Sequence, residues 1–188
     1  QIAENYGVVT DEWNGFNILH TAAARVAGLD MGFVPDRGGM DIAAMAAAAK
    51  VGSLDVLWAL GADEINYADF VSSFVIYQGH HGDAGAHHAD IILPGAAYTE
   101  KDGIYLNTEG RVQYANRAAF PLGEAREDWA IIRAVSGAIG KSIGMDSIAE
   151  VREALYAALP HFAMPDQIGK AKWAKFGGRA KLTSQPMT

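Results

Sequence analysis

Three short runs decide the architecture: DVLWALG (Asp55–Gly61), SFVIYQG (Ser73–Gly79) and ADIILPG (Ala89–Gly95). Each is a continuous apolar stretch bounded by Gly, Pro or Asp. None alternates apolar with polar as a half-exposed strand does. Strands buried on both faces read this way, and they belong to parallel sheets covered by helices. Their shortness and β-branched content favour strand over buried helix. The expectation is three neighbouring buried strands, mostly parallel, at Val56–Leu60, Phe74–Tyr77 and Asp90–Leu93.

The flanks supply helices. Upstream, Trp13, Phe16, Leu19, Ala23 and Val26 recur at helical spacing, with Asp11 placed to cap the start and Gly28 to end it. MGFVPDRGGM (Met31–Met40) reads as a loop. Asp41 can cap a short Ala-rich helix to Lys50, stopped by Gly52. Downstream, Ile104–Asn116 alternates around a Gly-containing turn and reads as a β-hairpin. Glu127–Ile139 places Trp129, Ile132, Val135 and Ile139 on one helical face. Ser147 to Glu150 is a capping box opening a helix to about Leu159, closed by Pro160. The sum is an α/β fold: a mostly parallel Rossmann-like sheet, flanking helices and a small antiparallel insertion.

Composition excludes several classes. The 188 residues are 50% hydrophobic and 20% charged, an ordinary globular balance. No apolar run approaches the roughly 20 residues a membrane span needs, and the opening QIAENYGVVT lacks the regions of a signal peptide. Cysteine is absent, so this chain offers no disulfide, no thiolate metal ligand and no Cys nucleophile. The net charge of −7 argues against a nucleic-acid surface. Residues 166–188 carry five basic side chains against Asp166, a net +4, which leaves −11 on residues 1–165. The expected division is an α/β domain over 1–165 and a basic tail over 166–188. The tail reads either as a solvated segment or as an extended one lying on a surface with Trp173 and Phe176 as anchors.

Loops after parallel strands meet at the carboxyl edge of the sheet, where ligands bind. GADE (Gly61–Glu64), GHHGDAGAHH (Gly79–His88) and PGAAYTEKDG (Pro94–Gly103) gather Asp63, Glu64, His80, His81, Asp83, His87, His88 and Glu100 there. Four of the six histidines fall within ten residues. Imidazole and carboxylate suit zinc, iron or manganese, yet adjacent histidines diverge on strand or helix and the spacing matches no metal motif. The competing reading is a Gly-rich loop whose histidines bond to backbone or face solvent. Asp63 and Glu64 could work as acid and base, or Asp63 could cap the helical turn in INYADF. Tyr98, Thr99, Glu109 and Arg111 read as a polar cluster at the hairpin base. Nothing matches a nucleophile elbow, a P-loop or Gly-x-Gly-x-x-Gly.

Longer segments carry more than these motifs. WNGFNILHTAAARVAGLDMGFVP (Trp13–Pro35), ALGADEI (Ala59–Ile65), YQGHHGD (Tyr77–Asp83), ADIILPGAAYTEKDGIYLNTEGRVQ (Ala89–Gln113) and GEAREDWAIIRAVSGAIG (Gly123–Gly140) occur in that order. Together they resemble the molybdopterin oxidoreductase-like C-terminal domain of the large iron–sulfur subunits (G subunits) of respiratory complex I, NADH–quinone oxidoreductase. The resemblance covers nearly all of residues 6–160. It implies a non-catalytic scaffold in a machine that passes electrons from NADH through flavin and iron–sulfur clusters to quinone and translocates protons. It implies that the 2Fe–2S and 4Fe–4S clusters sit in a Cys-rich N-terminal region lacking here, so the chain is a piece of a larger domain. It carries over no catalytic, cofactor-binding or metal residue. The implied partners are other subunits of the hydrophilic arm and the missing part of its own subunit, with no nucleic acid and no direct membrane span. The implied location is peripheral, on the cytoplasmic side of a bacterial inner membrane or the matrix side of the mitochondrial one. AHHAD (Ala86–Asp90) departs from the small apolar residues expected before the strand. A working molybdopterin-dependent oxidoreductase domain and a metal-dependent hydrolase built on the histidine loop are the alternatives.

Overall fold

The computed structural model describes residues 2–10 and 13–167. In chain order the elements are α1 (Ile2–Asn5), β1 (Val9–Thr10), β2 (Trp13–Asn14), α2 (Arg25–Asp30), α3 (Ile42–Lys50), β3 (Val56–Leu60), a 3-10 turn (Tyr67–Phe70), β4 (Phe74–Gly79), α4 (Ala84–His88), β5 (Ile91–Pro94), β6 (Gly103–Leu106), β7 (Val112–Ala115), α5 (Asp128–Ala138), α6 (Ile148–Ala158) and a second 3-10 turn (Pro160–Ala163). The basic tail and its aromatics, Trp173 and Phe176, lie outside the described residues beyond position 167.

The three runs form one parallel sheet in the order β3-β4-β5. Trp58 stands beside Ile76, and Ile76 beside Ile91. Asp90 closes the amino end of the β4–β5 ladder: its Oδ2 accepts from the Val75 amide at 2.7 Å, and its own amide donates to the Val75 carbonyl at 2.8 Å. The expected burial on both faces does not hold. Along β3 only Leu57 and Ala59 are buried, while Val56, Trp58 and Leu60 are exposed. β5 is mostly exposed. The cause is handedness. Strands advancing in one direction with right-handed crossovers send every connection over the same face. That face is filled by Ala49, Leu57, Ala59, Tyr67, Phe70, Val75 and Tyr77, with Met45 and Ala46 of α3 and Ala86 of α4 against them.

Local signals decide the flanking elements unevenly. Asp41 caps α3, its Oδ1 accepting from the Ala44 amide at 2.8 Å, and Gly52 leaves it at φ +70°. Ser147 caps α6 through the Glu150 amide at 3.2 Å, and Glu150 Oε2 accepts in return from the Asp146 amide at 2.5 Å. The hairpin is antiparallel, β6 against β7, and Asn107 Oδ1 holds its turn by accepting from the amides of Glu109 and Arg111. It packs with Ala27 of α2 and Phe162 into a second small core.

Two helical expectations need correction. No helix starts at Trp13: β2 lies there, the chain is irregular to Ala24, and Gly28 falls inside α2 rather than ending it. Asp11 lies outside the described residues. Phe16, Ile18 and Leu19 are exposed, so a helix over them would have no core to pack on, and packing is what sustains short helices. In α5 the buried positions are Ile131 and Ser136, not the stripe of Trp129, Ile132, Val135 and Ile139. Asp128 pins the helix to the sheet and so sets its rotation.

Candidate functional site at the carboxyl edge of the sheet

The carboxyl ends of β3 and β4 meet around Tyr77. Its hydroxyl donates to Asp63 Oδ1 at 2.7 Å and lies 3.2 Å from Asp83 Oδ2. Asp83 also caps α4, Oδ1 accepting from the Gly85 amide at 3.1 Å. Tyr67 donates its hydroxyl to the Ala62 carbonyl at 2.6 Å and stacks on His88 at 5.7 Å between ring centroids. Gly79 and Gly85 have no side chain for a steric reason: a Cβ on either would sit 2.4 Å from the Tyr77 side chain. The two glycines therefore make room for the protein's own tyrosine.

Electrostatics follow from this packing. Burial, and then the hydrogen bonds to Asp63 and Asp83, push the Tyr77 hydroxyl well above its ordinary value. Burial, and then the charges of Asp63 and Asp83, raise Tyr67. Partial burial pushes the Asp83 carboxyl up. The hydrogen bonds it shares with Asp63 and Tyr77, and those from the amides of Gly85 and Ala86, outweigh that and hold it below the usual carboxylate range. Acceptor-rich bonding of this kind favours the carboxylate.

A second network lies on the opposite face. Gln78 is fully buried. Its Nε2 donates to Asp128 Oδ1 at 2.9 Å, and its Oε1 accepts from Trp58 Nε1 at 3.2 Å. Lys101 pairs with Asp128 Oδ2. Asp128 opens α5, where a carboxylate also suits the helix dipole. The chain after Ala125 then runs beside the end of β5: Arg126 donates its amide to the Pro94 carbonyl at 3.0 Å, and the Ala96 amide donates to the Arg126 carbonyl at 2.7 Å. Alongside are two open clefts. One, of about 320 Å³, is lined by Arg117, Phe120, Arg126 and Trp129. The other, of about 440 Å³, is lined by Leu93, Arg126, Ile131 and Val135.

Of the eight expected residues, Asp63, Asp83, Glu100 and His88 have structural partners, while Glu64, His80, His81 and His87 are exposed. Asp63 does not cap the turn; Asn66 occupies that position, its Nδ2 donating to Asp69 Oδ2 at 3.2 Å rather than its oxygen accepting from a backbone amide, and Asp63 serves Tyr77 instead. Glu100 Oε2 folds back on the Ala97 amide at 3.0 Å, and Glu64 is exposed. His88 Nδ1 lies 2.8 Å from the Ala84 carbonyl, and His80 and His81 are exposed rings with centroids 4.1 Å apart. Among the described residues, no group of three or more His, Cys, Asp or Glu side chains is placed to hold a metal. The polar cluster splits: Glu109 and Arg111 sit at the hairpin turn, while the Thr99 carbonyl accepts from Ala118 and Ala119 at the hairpin's other end. Sequence reasoning missed Tyr77, Gln78, Lys101 and Asp128. A glutamine and a tyrosine inside an apolar strand run were the available signal, since a buried polar group needs a partner.

A model of the molybdopterin oxidoreductase family matches residues 1–138. Among curated proteins, the G subunit of the NADH-quinone oxidoreductase from Rickettsia conorii is 44% identical over 188 residues, 100% of this chain and 26% of that protein. The mitochondrial NADH-ubiquinone oxidoreductase 78 kDa subunit of Neurospora crassa is 42% identical over 189 residues, 95% of this chain and 24% of its own length. The corresponding Candida albicans subunit is 48% identical over 166 residues, 88% of this chain and 21% of its own length. The chain thus spans about a quarter of the length of these relatives. A solved structure of acetylene hydratase from Pelobacter acetylenicus overlays with TM-score 0.45 and 20% identity, covering 53% of this chain and 16% of that one.

A pterin cofactor is what such a family match implies, and the residues here do not fit it. The glycine-flanked space at Gly79 and Gly85 is taken by the Tyr77 ring. The chain supplies no thiol, and Asp63, Asp83, Glu100 and Asp128 are engaged with Tyr77, backbone amides and Lys101.

Proposed function

The chain belongs to the molybdopterin oxidoreductase family, and from that premise we propose that it is a non-catalytic scaffold of the large iron–sulfur subunit of an NADH–quinone oxidoreductase. The observation that carries this is the edge of the sheet. The loops that would form a reaction centre are tied to one another through Tyr77–Asp63–Asp83 and Gln78–Asp128–Lys101. The sequence similarity to complex I subunits runs through the same loops.

In this reading the electrons travel elsewhere. The clusters, 2Fe–2S and 4Fe–4S, are held by cysteines in another part of the subunit, and this part supplies shielding and contact surface. Exposed apolar side chains such as Leu19, Phe33, Phe120 and Leu122 supply that surface; large uncovered apolar patches mark contacts. The partners are the rest of its own subunit and neighbours in the hydrophilic arm. No helix among the described residues is long and apolar enough to cross a membrane. In this reading the position is peripheral, on the cytoplasmic or matrix side. Residues 1–165 form the scaffold unit. Residues 166–188, at net +4, are the separate basic segment of this reading.

Affinity purification of the tagged protein from its native membrane fraction tests this. NADH:quinone reductase activity and the subunits of a large assembly are expected to co-purify. Recovery of the protein free of any NADH-oxidising assembly overturns the reading.

A further inference from the structure

The cleft of about 320 Å³ beside the end of β5 is lined by two arginines and two aromatic rings. Arg117 lies over the Phe120 ring, its Cζ 4.5 Å from the ring centre, and among the described residues no carboxylate pairs with it. Residues 1–165 carry −11, so an arginine left without an acid is the exception here. Phe120 itself is 77% exposed. Stacking uses the flat face of a guanidinium and leaves its in-plane N–H donors for an oxyanion. Arg126 pairs with Glu124 at 3.3 Å, both side chains largely exposed, and such pairs hold weakly. Trp129 donates its indole N–H to Glu127 Oε2 at 2.6 Å, which fixes the ring that lines the cleft. The backbone behind these side chains is pinned. The Arg117 amide donates to Asp102 Oδ1 at 2.8 Å, and the Ala118 and Ala119 amides donate to the Thr99 carbonyl. The Arg126 amide donates to the Pro94 carbonyl. Both arginines therefore stand on segments tied to the end of β5 and the loop that follows it, and a site built on fixed segments is preorganised.

We propose that this cleft binds a nucleoside monophosphate, with Arg117 and Arg126 on the phosphate, Phe120 and Trp129 against the base, and Glu127 on the sugar. Each part of the ligand answers a group on the wall. A guanidinium fork matches phosphate oxygens. Bases stack on aromatic side chains whatever their identity. A carboxylate accepts from the hydroxyls of a ribose. An inorganic anion would leave both rings unused, and an apolar ligand would leave Arg117 uncompensated. The volume sits at the small end of ligand clefts, which run from roughly 300 to 1,000 Å³, so it admits one nucleotide and not two.

Photolabelling tests this on the natively purified protein, in whatever assembly it is recovered. The probe is an azido derivative of adenosine monophosphate, and the labelled peptides are identified by mass spectrometry. Label is expected within residues 117–130, displaced by unlabelled adenosine monophosphate but not by adenosine or inorganic phosphate at the same concentration. Arg117→Met combined with Arg126→Met should lower it roughly tenfold or more, the loss expected of charge-assisted hydrogen bonds. Phe120→Leu alters an exposed position and should lower it several-fold through lost stacking, which keeps the test open if the double variant fails to assemble. Absence of label in 117–130 overturns the proposal, including where a neighbouring polypeptide fills the cleft. Displacement by phosphate alone overturns it too, as does label that neither variant reduces. NADH oxidation by the same preparation is read separately. Its absence with the label present counts against the complex I reading alone. Its presence without the label counts against this proposal alone.

Discussion

The two faces of the central sheet carry side chains of similar size and different consequence. Phe70 packs under the filled face and is fully buried, whereas Phe74, four residues on, stands exposed on the open one. Tyr77 is fully buried and clasped by two glycines and two carboxylates; Trp58, one strand over, is exposed and donates its indole N–H to Gln78. Apolar sequence alone does not bury a strand face. Burial is conferred by the connections, and here handedness sends both of them to one side.

The contrast breaks or sharpens under substitution. Phe70→Ala should cost about 3–5 kcal/mol, the usual range for a fully buried Phe, and Phe74→Ala under about 1 kcal/mol in the chain alone. Denaturant midpoints measure both, and equal costs would end the distinction between faces. Gly85→Ala comes next. Its Cβ would meet the Tyr77 ring at 2.4 Å, so a loss of about 1–3 kcal/mol from overpacking is expected, measured as a lower thermal midpoint.

Tyr77→Phe removes the hydroxyl that joins Asp63 to Asp83 and should cost about 1.5 kcal/mol. It should also change the pH profile. Tyr77 is raised in the folded state, so its contribution is complete below the unfolded value near pH 10 and is lost as pH rises past it. The substituted protein should show less of that alkaline loss. Asp83 has the opposite sign: it is held low, so its contribution is present above about pH 4 and disappears as pH falls through its lower folded value. Unfolding followed from about pH 2 to about pH 11 reads both limbs. The smallest effect is local: Asp41→Ala should cost about 1 kcal/mol through the lost cap of α3, seen as reduced helical signal.

The parallel order of the three strands, the hairpin, and the caps at Asp41 and Ser147 are legible in the sequence because each is written in adjacent residues. What covers a face is not local, and so the run Val56–Leu60 reads as buried on both sides when it is buried on one. The helix expected from Trp13 has the right spacing but nothing to pack against. The edge loops are legible as a place and not as an arrangement. Asp63 and Asp83 stand out as acids, yet their shared partner Tyr77 sits inside a strand, and the partner of Gln78 lies fifty residues away at Asp128.

The central claim, a scaffold inside an NADH-oxidising assembly, is tested most directly by metal analysis of the natively purified protein, quantified per copy of this polypeptide. The account predicts iron from the assembly's clusters and no molybdenum, with no stoichiometric zinc or manganese belonging to this chain. One molybdenum per copy would restore a working pterin centre, and one zinc or manganese bound through the histidine loop would restore the hydrolase; either result contradicts the account.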